Sequence, residues 1–175
     1  MSSPLSLSDV VAALTGVVDP AASRATARLV QNWVTAGLVR PLPQPRAGRG
    51  VHRQFDQEEV RKLSVLVEMN RHRLPWAILQ LAASLFDQLR ELPDAIRQTR
   101  PAAALAAQQQ RHAPLRVLLQ AAITGSRVVF LVIGANEDGD LEVALRGDNW
   151  KVAEVRSATF VNLTAVLRPH RNVTD

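Results

Sequence analysis

Apolar residues recur at helical spacing in two stretches near the start of the chain, which predicts a helix-turn-helix. The first stretch has its apolar face at Val10, Val11 and Leu14. Ser6 or Ser8 can begin this helix as its N-cap, and Gly16 follows it as a stop signal. The second stretch starts at Asp19-Pro20, a pair typical of a helix N-terminus, and Gly37 ends it. Its apolar face consists of Ala22, Ala25, Leu29, Val30, Trp33 and Val34.

A basic loop that includes a short strand, residues 42–55, interrupts the helical pattern. Its first nine residues (LPQPRAGRG) contain two prolines and two glycines, which break both helical register and backbone hydrogen bonding. Residues 51–55 are predicted to be extended. Asp56 can cap a third helix, which continues to about Arg71. The apolar face of this third helix consists of Val60, Leu63, Leu66 and Val67.

The middle of the chain carries an apolar stripe with heptad spacing. The stripe consists of Ile78, Ala82, Leu85, Leu89 and Leu92. Such a stripe either packs inside its own chain or pairs with a second subunit, and the sequence leaves both interpretations open. Residues 93–114 contain three prolines, so they predict a broken helix or a hinge. A short amphipathic stretch follows and ends at Gly125.

The pattern changes to that of strands after Arg127. Residues 128–133 form a continuous apolar run and residues 141–146 alternate, so they predict a buried strand and its partner. Residues 150–155 and 160–167 supply one or two more strands. The end of the chain is therefore expected to form a small antiparallel sheet, with the preceding helix as its candidate backing layer. The predicted fold class is α+β.

Composition narrows the chemistry that the chain can perform. Of its 175 residues, 47% are apolar and none is cysteine, which excludes disulfides, thiolate metal sites, iron–sulfur clusters and cysteine nucleophiles. The four histidines never lie three or four residues apart, and neither a catalytic-triad spacing nor a glycine-rich phosphate loop is present. We therefore expect no enzyme activity, no metal and no cofactor. The longest apolar run is too short to span a membrane and the first ten residues lack signal-peptide features, so a cytoplasmic protein is expected.

Arginine is concentrated in one segment. The formal net charge is +5, yet residues 20–55 contain six arginines and no aspartate or glutamate. Because ordinary surfaces intersperse the two signs, this acid-free stretch predicts an anionic partner, most often nucleic acid. On the second helix the candidates for base contacts are Arg24, Arg28, Gln31 and Asn32. On the basic loop the candidates for phosphate contacts are Arg46, Arg49 and Arg53.

Several short motifs and single residues follow one another in a characteristic order in the first half of the chain. They are LSDV at 7–10, LTGV at 14–17, Trp33, GLVRP at 37–41, Gly50, RQF at 53–55 and EVRKL at 59–63. In this order they resemble the MerR-type winged helix-turn-helix regulators, over roughly residues 5–90. The resemblance implies a bacterial, homodimeric transcription regulator that places its second helix in the major groove and its wing on the phosphates.

The pattern along the whole chain, together with the resemblance in its first half, suggests how the chain is divided. A winged helix-turn-helix domain is expected at residues 5–74, a helical linker or dimerisation segment at 75–124 and a β-rich domain at 125–175. The segment from Gly16 to Gly37 is longer than in the family by roughly two helical turns, or about eight residues. The extra length raises the question of which residues of the second helix face the groove.

Three functions are compatible with these features. The first is a dimeric, sequence-specific transcription regulator that binds double-stranded DNA. The second is a DNA-architectural, recombination-directionality or partition factor that bends DNA and recruits another protein through the β-rich domain. The third is a protein-interaction module in which the winged fold is a scaffold and the sheet edge binds a partner. A single promoter site favours the first function, clustered sites with strong bending favour the second, and weak binding to every duplex favours the third.

Overall fold

The computed structural model describes residues 3–15, 20–43, 53–90, 102–135, 141–147 and 158–167. Within these ranges the predicted α+β class is confirmed. The helices are α1 (Leu7–Thr15), α2 (Pro20–Thr35), α3 (Gln57–Arg71), α4 (Trp76–Leu89), α5 (Ala102–Thr124) and α6 (Leu163–Leu167). The strands are β1 (Leu5–Ser6), β2 (Gln54–Phe55), β3 (Val129–Ala135), β4 (Leu141–Gly147) and β5 (Ala158–Asn162).

The described residues form two compact units. The first unit runs to Arg73 and the second begins at Leu74. β1 and β2 form an antiparallel pair in the first unit, and the second unit has a three-stranded antiparallel sheet in the order β4-β3-β5. Helices α4 and α5 both contact this sheet, so the second unit combines helices and strands.

Helix α1 begins with a reciprocal cap between Ser6 and Asp9. The Ser6 backbone N and Oγ donate to Asp9 Oδ2 at 3.0 and 2.7 Å, and the Asp9 backbone N donates to Ser6 Oγ at 3.3 Å. This is the arrangement of a capping box, with an aspartate in place of the usual glutamate. The hydrogen bond from the Ser6 side chain holds the pKa of the Asp9 carboxyl below its ordinary value. Of the two predicted caps, Ser6 is thus the one that begins the helix.

Helix α2 ends at the predicted stop. Gly37 adopts a positive φ of 75°, its backbone N donates to the Val34 carbonyl, and the Leu38 backbone N donates to the Trp33 carbonyl at 2.9 Å. These two bonds make a Schellman motif, in which Trp33 and Leu38 pack as its apolar pair; both side chains are buried. The motif turns the chain towards the basic loop.

The apolar face predicted for the first half of α2 is wrong. Ala22 and Ala25 are exposed, and the first buried residue of the helix is Val30. Alanine is the strongest helix former and its single methyl group exposes little apolar area, so it promotes a helix without requiring a core. Nearly three turns of α2 therefore precede its first buried residue.

Helix α3 forms the centre of the first unit. Asp56 caps it as predicted, because Asp56 Oδ1 accepts from the Glu59 backbone N at 2.8 Å. The predicted apolar face is buried, and it comprises Val60, Leu63, Leu66 and Val67. Phe55 at the end of β2 is fully buried as well, which anchors the basic loop to this core.

The apolar stripe of α4 packs inside its own chain. Ile78, Ala82 and Leu89 are all buried in the single chain. Leu85 is half-buried, and Leu92 lies outside the described residues. Between the two interpretations that the sequence left open, burial within the chain accounts for the stripe, and pairing with a second subunit is not needed to explain it.

Helix α5 contradicts the predicted break at residues 93–114. It is a continuous helix of 23 residues with Pro114 inside it. Proline removes one backbone hydrogen bond from a helix, while the alanine-rich start of α5 favours helix on the N-terminal side of Pro114. The helix ends at Gly125, whose φ is 68°, through a second Schellman motif. Pro93 and Pro101 lie outside the described residues.

Two of the predicted strands are confirmed in the sheet of the second unit, and a third is shorter than predicted. β3 pairs with β4 from Val129↔Gly147 to Ala135↔Leu141, and with β5 through Leu131↔Val161. The strand predicted at residues 160–167 ends at Asn162, because residues 163–167 form α6. The Asn162 side chain accepts from the Ala165 backbone N at 3.0 Å, which caps α6.

Helical spacing explains why α6 forms where a strand was expected. Leu163 and Leu167 lie four residues apart and are both fully buried, as one face of a helix requires. The other predicted strand, at residues 150–155, lies outside the described residues.

No helix in the described ranges is long and apolar enough to cross a membrane.

Candidate nucleic-acid interface

The outer face of α2 presents all four residues predicted to contact bases. Arg24, Arg28, Gln31 and Asn32 are exposed. At 100° per residue, positions 24, 28 and 31 lie within about 60° of one another around the helix axis, and position 32 lies about 40° beyond position 28. The opposite side of the helix is fixed to the core by the buried side chains of Val30 and Trp33. The polar face is therefore directed outward: Gln31 and Asn32 lie on the turn that packs, and Arg24 and Arg28 lie on the turns before it.

The charges on this face are all positive, because Arg24 and Arg28 carry charge and Gln31 and Asn32 are neutral. The segment that contains α2 and the basic loop has no carboxylate between residues 20 and 55. The first acid that follows, Asp56, is used as the cap of α3. Arginine carries several N–H donors in a planar fork, which suits phosphate oxygens and the O6/N7 edge of guanine, while Gln and Asn side chains suit adenine.

The basic loop is closed at its base by a hydrogen bond. The Leu42 backbone N donates to the Gln54 carbonyl at 2.7 Å. On its other side β2 pairs with β1, with Leu5 opposite Phe55 and Ser6 opposite Gln54. Gln54 therefore joins both the start of the loop and β1, and these contacts form the stem of the loop.

The structure describes one of the three arginines on this loop that are predicted to contact phosphates. Arg53 is exposed and lies next to the stem residue Gln54. Arg46 and Arg49 lie outside the described residues. Arg53 is thus available to an anion at the base of the loop.

A buried charged pair beside the loop was not predicted from the sequence. The Glu59 carboxylate accepts from the Arg40 backbone N at 2.7 Å, and Lys62 Nζ lies 2.7 Å from the same oxygen. Both side chains are only 2% exposed. A signal was present, because Glu59 and Lys62 lie four residues before Leu63 and Leu66 respectively, on the apolar face of α3.

Other charged groups of the first unit are arranged differently. At the far end of α3, Glu68 pairs with Arg71 at 3.0 Å and with His72 at 3.3 Å, near the surface. Burial lowers the pKa of Arg61, an effect that the nearby Glu58 opposes. Among the described residues, no group of three histidine, aspartate or glutamate side chains could hold a metal ion.

In comparisons with known proteins, no protein-family model and no curated protein matched the chain.

Proposed function

We propose that the chain is a DNA-binding transcription regulator that acts as a dimer, with α2 in the major groove and the basic loop on the phosphate backbone. This proposal treats the first unit as a MerR-type winged helix-turn-helix domain and the protein as a binding protein without catalytic activity.

The observation that carries the proposal is the outer face of α2. Four polar side chains are exposed on a helix that contains no carboxylate and whose C-terminal half is anchored by Val30 and Trp33. From Arg24 to Gln31 the helix rises about 10 Å, which corresponds to about three base pairs along the groove. A face of this length, with arginines that suit guanine and side-chain amides that suit adenine, can read bases directly in the major groove.

The basic loop supplies a different part of the interaction. Arginines on a loop reach phosphates, which fix the position of the protein on the duplex and give affinity without sequence information. Arg53 takes this role at the base of the loop, together with Arg46 and Arg49. Each phosphate contact adds to the salt dependence of binding.

The dimer part of the proposal is supported by the resemblance and by the length of the face. A face that reads about three base pairs gives little specificity alone, so a second copy on a symmetric half-site is expected to double it. The α4 stripe is buried within its own chain, so it is not offered as the dimer contact.

The experiment is a selection of genomic fragments with the purified protein at about 150 mM salt, where screening suppresses loose electrostatic association. One or a few enriched fragments with a pseudo-palindromic site near a promoter are the expected result. Clusters of sites with strong bending would instead favour an architectural, recombination or partition factor. Uniform recovery would contradict sequence-specific binding, and no recovery would contradict DNA binding under these conditions.

A further inference from the structure

The buried pair of Glu59 and Lys62 lies where α3 meets the chain that leaves α2. Glu59 is the third residue of α3, and its backbone N is already bonded to the cap Asp56. Its carboxylate accepts from the Arg40 backbone N, across nineteen positions of sequence, and from Lys62 Nζ. One oxygen, Oε1, makes both contacts at 2.7 Å.

The contact between Glu59 and Arg40 goes beyond what a helix cap requires. In a capping box the carboxylate of the third residue returns to the backbone N of the cap residue. Here the carboxylate contacts a different part of the chain, and a lysine is buried with it. Burying two charges requires desolvation that their attraction does not always offset, so stability alone explains such a pair poorly. The best-attested role of buried polar groups is to select one arrangement over others.

The position of Arg40 indicates which arrangement is selected. Arg40 comes three residues after Gly37, which ends α2, and two residues before Leu42, whose N–H closes the basic loop onto Gln54. The hydrogen bond from Arg40 to Glu59 therefore fixes the short link between the end of α2 and the stem of the loop. Neither Glu59 nor Lys62 can contact DNA directly, because both are buried.

We propose that Glu59 is a positioning residue for DNA binding, which holds the stem of the basic loop against α3 through the Arg40 backbone N–H, with Lys62 balancing its charge. The inference rests on the proposed function for its DNA component. Its structural component, the fixed loop stem, has a readout of its own. A loop held in place loses less freedom on binding, so the pair contributes to affinity by preorganisation.

Two double variants separate the hydrogen bond from the charge. Glu59→Gln/Lys62→Met removes both charges but keeps an oxygen that can accept from Arg40. Glu59→Leu/Lys62→Met removes the charges and the acceptor with a side chain of similar size. Glu68→Leu is the matched control, because it deletes a carboxylate from the same helix near its surface, where Glu68 pairs with Arg71 and contacts His72.

The first measurement is amide hydrogen exchange at Arg40 and Leu42. Glu59→Leu/Lys62→Met is expected to speed exchange at both by roughly 10- to 100-fold, the equivalent of losing a hydrogen bond to a charged group. Glu59→Gln/Lys62→Met is expected to speed exchange by less than about tenfold, because a neutral acceptor makes a weaker hydrogen bond, and Glu68→Leu is expected to leave the rate unchanged. Wild-type exchange in a folded Glu59→Leu/Lys62→Met variant would overturn the proposal. If that variant does not fold, a folded Glu59→Gln/Lys62→Met variant in which Arg40 stays protected while Leu42 exchanges rapidly would also overturn it, because the Arg40 bond would then be present without holding the loop stem.

The second measurement is binding to a mixed-sequence duplex of about 30 base pairs at about 50 mM salt, repeated over a salt series. Loss of positioning is expected to weaken binding by about tenfold with an unchanged salt slope, because the phosphate contacts are the same once formed. Wild-type affinity in a Glu59→Leu/Lys62→Met variant with rapid exchange would overturn the DNA component alone. If the wild type binds no duplex, the proposed function fails, and the exchange rates still decide whether Glu59 fixes the loop stem.

Discussion

The two units of the molecule end a helix in the same way but bury different kinds of side chain. Gly37 ends α2 and Gly125 ends α5, each with a positive φ and the same pair of backbone hydrogen bonds. Among the side chains that the structure describes, the buried polar ones all belong to α3 of the first unit, and the second unit buries only apolar residues. In the first unit one of these buried polar side chains, Glu59, fixes the backbone at Arg40, a few residues after the exposed polar face of α2.

The largest expected effect compares the two cores. Leu63 in the first unit and Leu131 in the second are both fully buried. Replacing either by alanine is expected to lower the free energy of unfolding by about 2–5 kcal/mol, because each substitution removes buried apolar area and leaves a cavity. Urea unfolding followed by circular dichroism measures this loss. The control, Val117→Ala, changes a side chain that is 68% exposed and should cost less than about 0.5 kcal/mol. A loss as small as the control's in one unit would show that the unit lacks a packed core of its own.

The second effect tests whether the basic face of the first unit is specific. Arg24→Gln/Arg28→Gln is expected to weaken binding to a selected genomic fragment by about 100-fold, since two arginines that contact bases or phosphates are lost. Fluorescence anisotropy measures the dissociation constants. Arg71→Gln/Arg73→Gln changes the net charge equally at the far end of α3 and should weaken binding much less. Equal losses in the two variants would mean that only the overall charge matters.

A third, smaller effect uses the shared helix ending. Gly37→Ala and Gly125→Ala each place a Cβ where no atom lies within 4 Å, so the cost is conformational. Strain of about 1–2 kcal/mol, partly offset by a less flexible unfolded chain, leaves a net destabilisation of about 1 kcal/mol at each site. Thermal unfolding measures it. Gly37→Ala should also weaken DNA binding beyond its effect on stability, whereas a DNA-binding loss confined to Gly125→Ala would reverse the roles of the two units.

The smallest effect concerns the cap of α1. The hydrogen bond from Ser6 lowers the pKa of Asp9 below its ordinary value of 3.8. The stabilisation is therefore fully present above pH 3.8 and is lost as the pH falls through the lowered pKa of the folded state. An NMR titration of the Asp9 carboxyl carbon should give a midpoint below 3.8 in the wild type and a higher midpoint in Ser6→Ala, which loses the side-chain hydrogen bond but keeps the one from the backbone N. Identical midpoints in the two proteins would show that the cap does not form in solution.

Local signals predicted much of the first unit. The stop at Gly37, the cap at Asp56 and the apolar face of α3 each depend on a few neighbouring residues, and each is confirmed. The exposed polar face of α2 also follows from spacing around one buried tryptophan, Trp33. The winged arrangement and DNA binding remain predictions.

Long-range packing explains what the sequence did not reveal. Ala22 and Ala25 fit an apolar period, but only the tertiary structure determines how far the core extends along α2. Pro114 lies inside α5 although proline usually breaks helices, and its neighbours rather than its own propensity decide the outcome. The contact between Glu59 and Arg40 joins residues nineteen positions apart, so no local pattern specifies it.

The most direct test of the central claim is amide chemical-shift mapping of the full chain with a mixed-sequence duplex at low salt. We predict shifts at the exposed positions of α2, above all Arg28 and Gln31, and at Arg53 beside the loop stem, with β3 of the second unit unchanged. Shifts confined to the second unit, with α2 unaffected, would contradict the account.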